Sequence, residues 1–245
     1  MTTMSSLQIV GAQVPVAMEV PEPMRATVAE VLGGEYEAGF FGEGLSILDL
    51  GANVGSFSLW ANMRWPASTI HAYEPHPGTF EILARNVARF PNIHATNVAV
   101  YPSESSKLTL FARYVGDGEA GVAEAMQRTF AAIKPEQTFP VASLHPAKLP
   151  TADIVKLDVE GAEGEILRHM DLSRTELVVL EFQDDGNRRV VKDVLADGFV
   201  LEHETAYLWD DLIDANLGYR ADLAGNHFGR MFFARPNPVR LRRGR

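Results

Sequence analysis

A strand, a glycine turn, a helix, a second strand and an acidic residue follow one another within the first third of this chain. Residues 47–50 form an apolar run that predicts a buried strand, and two glycines then interrupt the pattern. Residues 56–63 favour a helix, and residues 69–73 favour a second strand that ends at Glu74. This order is typical of a nucleoside-binding βαβ unit, in which glycine lets the backbone approach the ligand. Glu74 would then accept hydrogen bonds from two ribose hydroxyls.

The spacing within the glycine turn indicates which nucleoside binds. The dinucleotide motif needs Gly-x-Gly-x-x-Gly, whereas this turn reads Asp-x-Gly-x-Asn-x-Gly and carries an acid where a pyrophosphate would be repelled. The turn instead resembles the S-adenosylmethionine loop of class I methyltransferases, whose cofactor carries a cationic amino group. The resemblance implies that Gly51, Ala52 and Gly55 follow the methionine part of the cofactor. It also implies that Asp49 and Asn53 lie near its polar end.

The 245 residues and their alternation of strands and helices predict a single α/β domain with a mostly parallel sheet and helices on both faces. The resemblance to class I methyltransferases implies that this is a single methyltransferase domain with a Rossmann-like, seven-stranded sheet. Residues 1–45 are predicted to form an N-terminal strand and helix extension that includes a lid-like element. Residues 46–235 would form the cofactor-binding core, and residues 236–245 a basic tail. An insertion after the third core strand, residues 115–137, is predicted to cover the site.

Hydrophobic periodicity predicts the remaining elements of the chain. The predicted helices cover residues 23–37, 79–90, 161–170 and 188–195. The predicted strands cover residues 93–100, 107–112, 139–144, 153–159, 176–182, 199–208 and 227–234.

A second group of charged residues lies at the end of one predicted core strand. Strand periodicity places Lys156, Asp158 and Glu160 on one face, which is poor packing for a core because buried charges are costly unless they are paired. Ligands bind at the carboxyl ends of the strands in open α/β sheets, so we assign Asp158 to the functional site. Glu163 is assigned to the N-terminus of the following helix, where negative charge is favourable, and Glu160 fits either role.

Together these motifs resemble the FkbM family of S-adenosylmethionine-dependent methyltransferases. The matching segments span about residues 47–182, and they are residues 48–55, 73–75, 97–100, 156–163 and 180–182. The resemblance implies transfer of a methyl group, commonly to a hydroxyl of a natural product or sugar. Residues 1–45 and 183–245 lie outside the resemblance, so the family does not supply the acceptor.

The resemblance also implies a set of cofactor-binding residues. Glu74 would hold the ribose, and Val98 and Ala99 would flank the adenine. The complete set is Asp49, Gly51, Ala52, Asn53, Gly55, Phe57, Glu74, Pro75, Val98, Ala99 and Asp158.

A hydroxyl acceptor must lose a proton during methyl transfer, and two interpretations of the proton acceptor stay open. In the first, one of the carboxylates of Asp158, Glu160 and Glu181 acts directly as the catalytic base. In the second, Asp158, Glu181 and Asp184 hold Mg²⁺, which prefers oxygen ligands and would activate the acceptor. Single histidines are further candidates for the base, namely His76, His203 and His227.

Composition limits the partners that the chain can have. The net charge of −10 argues against a broad nucleic-acid surface, and the absence of cysteine excludes disulfides and thiolate sites. No apolar run is long enough to predict a membrane span, and no secretory signal is recognised, so we expect a cytoplasmic enzyme. The resemblance implies that its partner is a small-molecule hydroxyl substrate. Homo-oligomerisation is left open.

Two alternative functions remain: methylation of RNA or protein, and binding of S-adenosylmethionine without catalysis. The first rests only on the C-terminal segment 235–245, which contains five arginines and no acidic residue. We interpret this segment as a solvated, frayed end. Deleting residues 236–245 is then expected to change neither stability nor turnover.

Overall fold

A computed structural model describes residues 3–9, 16–125, 137–208 and 225–243. The helices in these ranges are α1 (Arg25–Leu32), α2 (Ser56–Arg64), α3 (Pro77–Val87), α4 (Glu163–His169) and α5 (Asp185–Leu195). Short 3-10 turns cover Glu22–Met24 and Pro146–Lys148. None of the helices in the described part of the chain has the length and apolar character needed to cross a membrane.

Fifteen strands have bounds in the described ranges, and seven of them form the central sheet. The strands are β1 (Met4–Ile9), β2 (Val16–Pro21), β3 (Phe40–Phe41), β4 (Ser46–Leu50), β5 (Thr69–Tyr73), β6 (Ile93–Thr96), β7 (Ala99–Val100), β8 (Lys107–Ala112), β9 (Gly121–Val122), β10 (Gln137–Leu144), β11 (Ile154–Leu157), β12 (Leu177–Phe182), β13 (Val200–Leu208), β14 (His227–Ala234) and β15 (Arg242–Arg243). The central sheet has the order β13-β14-β12-β11-β4-β5-β6. Six of its strands run in the same direction, and β14 runs antiparallel to them. The predicted seven-stranded, mostly parallel sheet is confirmed.

The middle strands of this sheet are apolar because both of their faces are covered. β11 is buried along its whole length, and β4 is buried from Ile47 to Leu50. Ile47 packs into a core with α1, α2 and α3 on one face of the sheet, whereas Leu48 packs into a core with α4 and α5 on the other. The carboxyl ends of β4, β5, β11 and β12 therefore meet at one edge, where a ligand can approach.

Two predicted strands are shorter than expected, for local reasons. The predicted strand 93–100 is divided into β6, which pairs with β5, and β7, which pairs with β10 in a separate four-stranded sheet. Between them, the Asn97 side chain donates to the carbonyls of Glu74 and Pro75 at 2.8 and 3.0 Å and turns the chain. The predicted strand 153–159 ends at Leu157, since Glu160 and Gly161 follow with left-handed φ angles of 57° and 98°.

The N-terminal segment packs against the insertion that follows the third core strand. β1 and β2 form an antiparallel pair, and α1 ends at Leu32, earlier than predicted, where two glycines follow. A side chain at Gly116 would lie 2.5 Å from Pro21, and one at Gly118 would lie 3.1 Å from Met24. These close contacts join the two segments, and residues 126–136 of the predicted insertion lie outside the described residues.

The C-terminal tail packs against the body of the domain, so the prediction of a frayed end is wrong up to residue 243. Both oxygens of Glu176 accept hydrogen bonds from the backbone N–H groups of residues 239–241, at 2.7–2.9 Å. Leu241 is buried at 1% exposure, and β15 pairs with β3. The tail therefore belongs to the folded domain, and deleting residues 236–245 is expected to lower stability, contrary to the expectation from the sequence.

Leu241→Ala tests this role of the tail. We expect the free energy of unfolding to fall by roughly 2–5 kcal/mol, the usual cost of emptying a buried leucine site. Val239→Ala is the matched control, because Val239 is 85% exposed two residues away, and it should change the free energy by less than about 0.5 kcal/mol. Urea denaturation of both variants measures the difference. Equal unfolding midpoints for Leu241→Ala and Val239→Ala would show that the buried side chain of the tail contributes nothing to stability.

Candidate active site

One cavity of about 1080 Å³, including its open mouth, lies at the carboxyl edge of the central sheet. Its walls come from α1, the turn after β4, the ends of β5, β11 and β12, and the described part of the insertion. Most of the predicted site residues line it, namely Gly51, Ala52, Asn53, Phe57, Glu74, Pro75, Val98, Ala99, Asp158, Glu160 and Glu181. Sequence motifs more than a hundred residues apart therefore meet in one cavity.

Glycine is required in the turn after β4 because the turn packs tightly on both sides. Gly51 has a φ of 76°, and a Cβ atom there would lie 1.8 Å from the backbone oxygen of Asp158. Gly55 has a φ of 93°, and a Cβ atom there would lie 2.8 Å from Leu83 in α3. Gly55 does not line the cavity. Its close approach to Leu83 seats the turn against α3, and its predicted contact with the cofactor stays a prediction.

Asp49 also differs from its predicted role. It is fully buried beneath the turn, does not line the cavity, and accepts a hydrogen bond of 2.7 Å from Ser58. Its partner on the neighbouring strand is Lys156, whose Nζ lies 3.2 Å from Asp49 Oδ1 and donates to the oxygen of Gly51 at 2.7 Å. Burial opposes the ammonium form, but the carboxylates of Asp49 and Asp158 outweigh it and raise the pKa of Lys156. Asp49 thus acts on the turn through Lys156.

Glu74 is held by backbone groups at the end of β5. Its Oε2 accepts from the N–H of Asn53 at 2.9 Å, and its Oε1 accepts from the N–H of His76 at 2.8 Å. Burial raises the pKa of Glu74 to about 7, against the opposing effect of these two hydrogen bonds. Each carboxylate oxygen has two lone pairs, so each can accept one more hydrogen bond from a ligand in the cavity.

Asn53 contributes a polar atom that lacks a partner. It adopts a left-handed φ of 47° and lines the cavity beside Glu74. Its side-chain nitrogen donates to the oxygen of Asp117 at 3.4 Å, whereas its buried side-chain oxygen has no hydrogen-bond partner among the described residues. A buried acceptor without a partner is costly, so this oxygen suits a ligand with a donor group.

Acidic residues gather at the end of the cavity near β11 and β12. The Asp158 carboxylate lies 3.6 Å from Lys156 Nζ, and the Glu181 carboxylate lies 3.7 Å from Arg230 Nε. Burial, together with the charge of Asp158, raises the pKa of Glu181 to about 8. The buried Tyr36 lines the same end, and its pKa is raised well above the usual value by burial and then by the carboxylates. Tyr36 is therefore a hydrogen-bond donor at neutral pH.

Glu160 and Glu163 have different roles. Glu160 lines the cavity with a left-handed backbone and accepts from the side chain of Gln183 at 3.2 Å. Glu163 begins α4 outside the cavity and accepts from the N–H groups of Val159 and Gly161 at 3.0 and 3.3 Å. Burial raises the pKa of Glu163 to about 7. As expected for the start of a helix, Glu163 shapes the backbone that precedes it.

The predicted magnesium ligands do not come together. Asp184 caps α5 by accepting from the N–H of Asn187 at 2.9 Å, and it does not line the cavity with Asp158 and Glu181. In the described ranges, no group of three or more histidine, aspartate or glutamate side chains is arranged to hold a metal ion. The described residues therefore give no support to the magnesium interpretation.

The three candidate histidines also lie outside the cavity. His76 caps the start of α3 through its Nδ1 atom, which accepts from the N–H of Thr79 at 3.1 Å. His203 packs against the ring of Phe232, and Nδ1 of His227 lies 2.9 Å from the Asp185 carboxylate. Each of them thus makes a structural contact, although the buried Nε2 atom of His76 has no hydrogen-bond partner among the described residues.

The N-terminal segment, which was predicted to include a lid-like element, supplies one wall of the cavity. Helical spacing predicted the helix, but spacing alone does not show which of its apolar residues face the cavity. The cavity-lining residues of this segment are Met24, Thr27, Val28, Val31 and Tyr36.

The described part of the insertion lies over the site, as predicted. Asp117, Gly118, Gly121 and Val122 line the cavity. Asp117 is buried, and Arg113 holds its carboxylate with two hydrogen bonds of 2.6 and 3.0 Å. This ion pair fixes the loop whose backbone oxygen contacts Asn53.

Comparison with known proteins identifies the family of the chain. A family model described as the methyltransferase FkbM domain matches residues 49–221. The chain is 28% identical to methyltransferase sdnD of Sordaria araneosa over 206 residues, which cover 65% of this chain and 75% of that protein. It is 44% identical to 31-O-demethyl-FK506 methyltransferase FkbM of Streptomyces tacrolimicus over 43 residues, 18% of this chain and 16% of that protein.

A solved structure shares the fold at low sequence identity. The crystal structure of Pyrococcus horikoshii TYW2 in complex with MeSAdo matches with a TM-score of 0.51 at 10% identity. The match covers 97% of this chain and 73% of that one, and at this identity it shows only the fold. The family match covers most of the sequence, including the glycine turn, Glu74 and the acidic residues at the ends of β11 and β12. The chain therefore belongs to the FkbM methyltransferase family.

Proposed function

We propose that this protein is an S-adenosylmethionine-dependent O-methyltransferase that acts on a hydroxyl group of a small molecule. The observation that carries the proposal is the Glu74 carboxylate, buried and held by two backbone N–H groups in the same cavity as Glu181. The first feature suits a ribose, and the second suits an acceptor that must lose a proton. The name of one relative, 31-O-demethyl-FK506 methyltransferase, supports oxygen as the methylated atom.

The residues present fit the cofactor. S-adenosylmethionine, when bound, supplies a methyl group attached to a positively charged sulfur. Glu74 would accept hydrogen bonds from the two ribose hydroxyls, and Val98 and Ala99 would flank the adenine. The partnerless side-chain oxygen of Asn53 would accept from the cofactor's amino acid end. The negative charge of Asp158 near the turn would favour the cationic sulfur.

Glu181 is the best candidate for the proton acceptor among the predicted acids. Its raised pKa of about 8 lies near neutral pH, where a general base is most effective. The Glu181 carboxylate would take the proton of the acceptor hydroxyl, which would leave the acceptor oxygen able to receive the methyl group that the cofactor supplies. Tyr36, which stays protonated, would donate a hydrogen bond that orients the acceptor. Orientation of this kind provides much of the rate of an in-line displacement.

The alternative of RNA methylation has less support. The wall near β12 carries the Asp158 carboxylate, which would repel phosphate groups. The arginine-rich tail is bound to the body of the domain through Glu176, so it is not an extended basic arm. A non-catalytic binding protein stays a distinct alternative that a turnover experiment decides.

The turnover experiment uses methyl-labelled S-adenosylmethionine and a panel of small hydroxylated acceptors, with total tRNA and a protein lysate as comparison acceptors. We expect label and the mass of one added methylene on a small hydroxylated compound. Label only in RNA or protein would replace the proposed function with the alternative. Cofactor binding without label in any acceptor class would favour the non-catalytic interpretation.

Glu74→Gln is expected to weaken binding of S-adenosylhomocysteine by about 1.5–3 kcal/mol, because the variant loses charge-assisted hydrogen bonds to the ribose. Isothermal titration calorimetry measures the loss. The fold should be retained, since glutamine can still accept one of the two backbone hydrogen bonds. An unchanged affinity would contradict the ribose assignment.

The affinity of the native protein should also depend on pH. Ribose hydroxyls donate to the ionised carboxylate, whereas the pKa of about 7 leaves Glu74 protonated in more acidic solution. Affinity should therefore rise with pH by up to about tenfold per unit below pH 7 and level off above it. Glu163→Gln is the matched control, because Glu163 has a similar pKa outside the cavity, and it should keep the slope. A slope that persists in Glu74→Gln would assign the titration to another group.

A further inference from the structure

Arg230 touches two separate acids at the same end of the cavity. It lies on β14 directly opposite Glu181 on β12, and its Nε is 3.7 Å from the Glu181 carboxylate. Its terminal nitrogen forms a closer ion pair with Glu35, which lies in the N-terminal segment. The guanidinium carbon also lies 5.9 Å from the centre of the Tyr36 ring. One arginine thus connects the N-terminal wall of the cavity with the acid proposed to accept the proton.

The positive charge of Arg230 is divided between Glu35 and Glu181, and the other charges around Glu181 make this division important. The carboxylates of Asp158 and Glu35 act on Glu181 and disfavour its ionised form, whereas Arg230 and the more distant Lys156 favour it. Lys156 is already engaged by Asp49 and the backbone oxygen of Gly51. Tyr36 stays neutral and adds no charge. Arg230 is therefore the cation that most affects the charge of Glu181 among the groups that face it.

We propose that Arg230 is a positioning residue whose charge is shared between Glu35 and Glu181, and that Glu35 keeps Arg230 from fully neutralising Glu181. This inference rests on the proposed function, in which Glu181 accepts the proton. A close ion pair with Arg230 would hold Glu181 as a carboxylate with little tendency to take a proton, because an opposite charge within hydrogen-bond distance stabilises the ionised form. The 3.7 Å separation, with Glu35 as the nearer partner, leaves Glu181 able to bind a proton near neutral pH.

The arrangement is a feature of this chain beyond the family match. Glu35 and Arg230 both lie outside residues 49–221, which the family model covers. Glu35 is also the neighbour of Tyr36, which lines the cavity. The ion pair of Glu35 with Arg230 therefore holds the N-terminal wall in place as well as setting the charge of Glu181.

Substitutions at Glu35 and at Arg230 are predicted to shift the pKa of Glu181 in opposite directions, and this gives a sharp test. Glu35→Gln removes a negative charge and releases Arg230 toward Glu181, so the pKa of Glu181 should fall. Arg230→Gln removes the positive charge, so the same pKa should rise. We expect the pKa of Glu181 to shift by about one unit in each direction. In Arg230→Lys this pKa should stay near the native value, because the variant keeps the positive charge. A purely structural role would not give shifts of opposite sign.

The titration is read directly by NMR of the side-chain carboxyl carbons in protein labelled with ¹³C-glutamate. The Glu181 signal is assigned by its absence in Glu181→Gln, and the midpoint of the pH–rate profile provides the second measurement. Arg188→Gln is the control, because Arg188 pairs with Glu204 and Asp185 and does not line the cavity, so it should leave the Glu181 signal unchanged. Glu35→Gln alone carries the test if Arg230→Gln does not fold.

Equal shifts in one direction, or no shift in either variant, would overturn the inference. The NMR titration needs no turnover, so it separates this inference from the proposed function. Opposite shifts in a protein that methylates no acceptor would support the sharing of Arg230 and reject the proposed function. If both variants stay active and the titration midpoint of Glu181 does not move, the sharing of Arg230 is rejected and the proposed function is left intact.

Discussion

Replacing Glu181 by glutamine is expected to lower turnover by about 10²–10⁴-fold, the usual contribution of a positioned general base. Glutamine keeps the size and the hydrogen-bonding capacity of the side chain, so the loss isolates proton transfer. The affinity for S-adenosylhomocysteine should be nearly unchanged, because the residues proposed to contact the ribose and the adenine lie elsewhere in the cavity. Single-turnover kinetics and calorimetry on the same preparation measure the two effects.

Asp184→Asn is the matched control for this experiment. Asp184 lies three residues from Glu181 but caps α5 and does not line the cavity. The variant should lose at most about 0.5–2 kcal/mol of stability, as for other helix caps, and should keep its turnover. If Glu181→Gln lost affinity and turnover to the same extent, Glu181 would belong to the cofactor site, and the base would have to be sought in Asp158 or Glu160.

Replacing Lys156 by methionine is expected to destabilise the protein by about 3–5 kcal/mol, because removing one partner of a buried ion pair leaves the other charge uncompensated. Lys156 and Asp49 are neighbours on β11 and β4, and both are buried. The variant also loses the hydrogen bond to the oxygen of Gly51, so the turn after β4 should bind the cofactor more weakly. Urea denaturation and calorimetry report the two losses.

The double variant Asp49→Asn/Lys156→Met tests whether the cost comes from the uncompensated charge. Since it removes both charges, it should recover part of the stability that Lys156→Met loses. Lys192→Met serves as the surface comparison, because Lys192 pairs with Glu204 in a partly exposed position, and it should cost no more than about 1 kcal/mol. A double variant that is as unstable as the sum of the two single changes would show that the charges do not interact.

Much of the fold could be predicted from the sequence, because local patterns decide the elements concerned. β5, β8 and β14 have the predicted bounds, since each is an apolar or alternating run between clear breaks. The parallel sheet followed from the alternation of strands with helices. The division of the strand at residues 93–100 was not predictable, because it depends on the Asn97 side chain reaching two carbonyls more than twenty residues away.

The contacts that hold the tail and the N-terminal wall could not be predicted, for the same reason. Glu176 binds backbone groups 63–65 residues later in the chain, and Glu35 meets Arg230 from the opposite end of the sequence. A composition rich in arginine predicts solvation when these partners are unknown. Contacts of this range leave no trace in spacing or periodicity.

The candidate site was predicted best where the chemistry excludes a core role. Asp158 and Glu181 are charged residues at the ends of buried strands, and both line the cavity. Asp49 has the same local appearance, yet it is paired with Lys156 beneath the turn. Sequence places an acid near a glycine turn, but the partner on the neighbouring strand determines whether that acid faces the ligand.

The most direct test of the account is a crystal structure of the protein with S-adenosylhomocysteine. The account predicts that both ribose hydroxyls lie within hydrogen-bonding distance of the Glu74 carboxylate and that the adenine lies beside Val98 and Ala99. It also predicts that the sulfur faces the end of the cavity formed by Tyr36 and Glu181. A ligand bound with its ribose away from Glu74, or with its sulfur directed away from Glu181, would contradict the account.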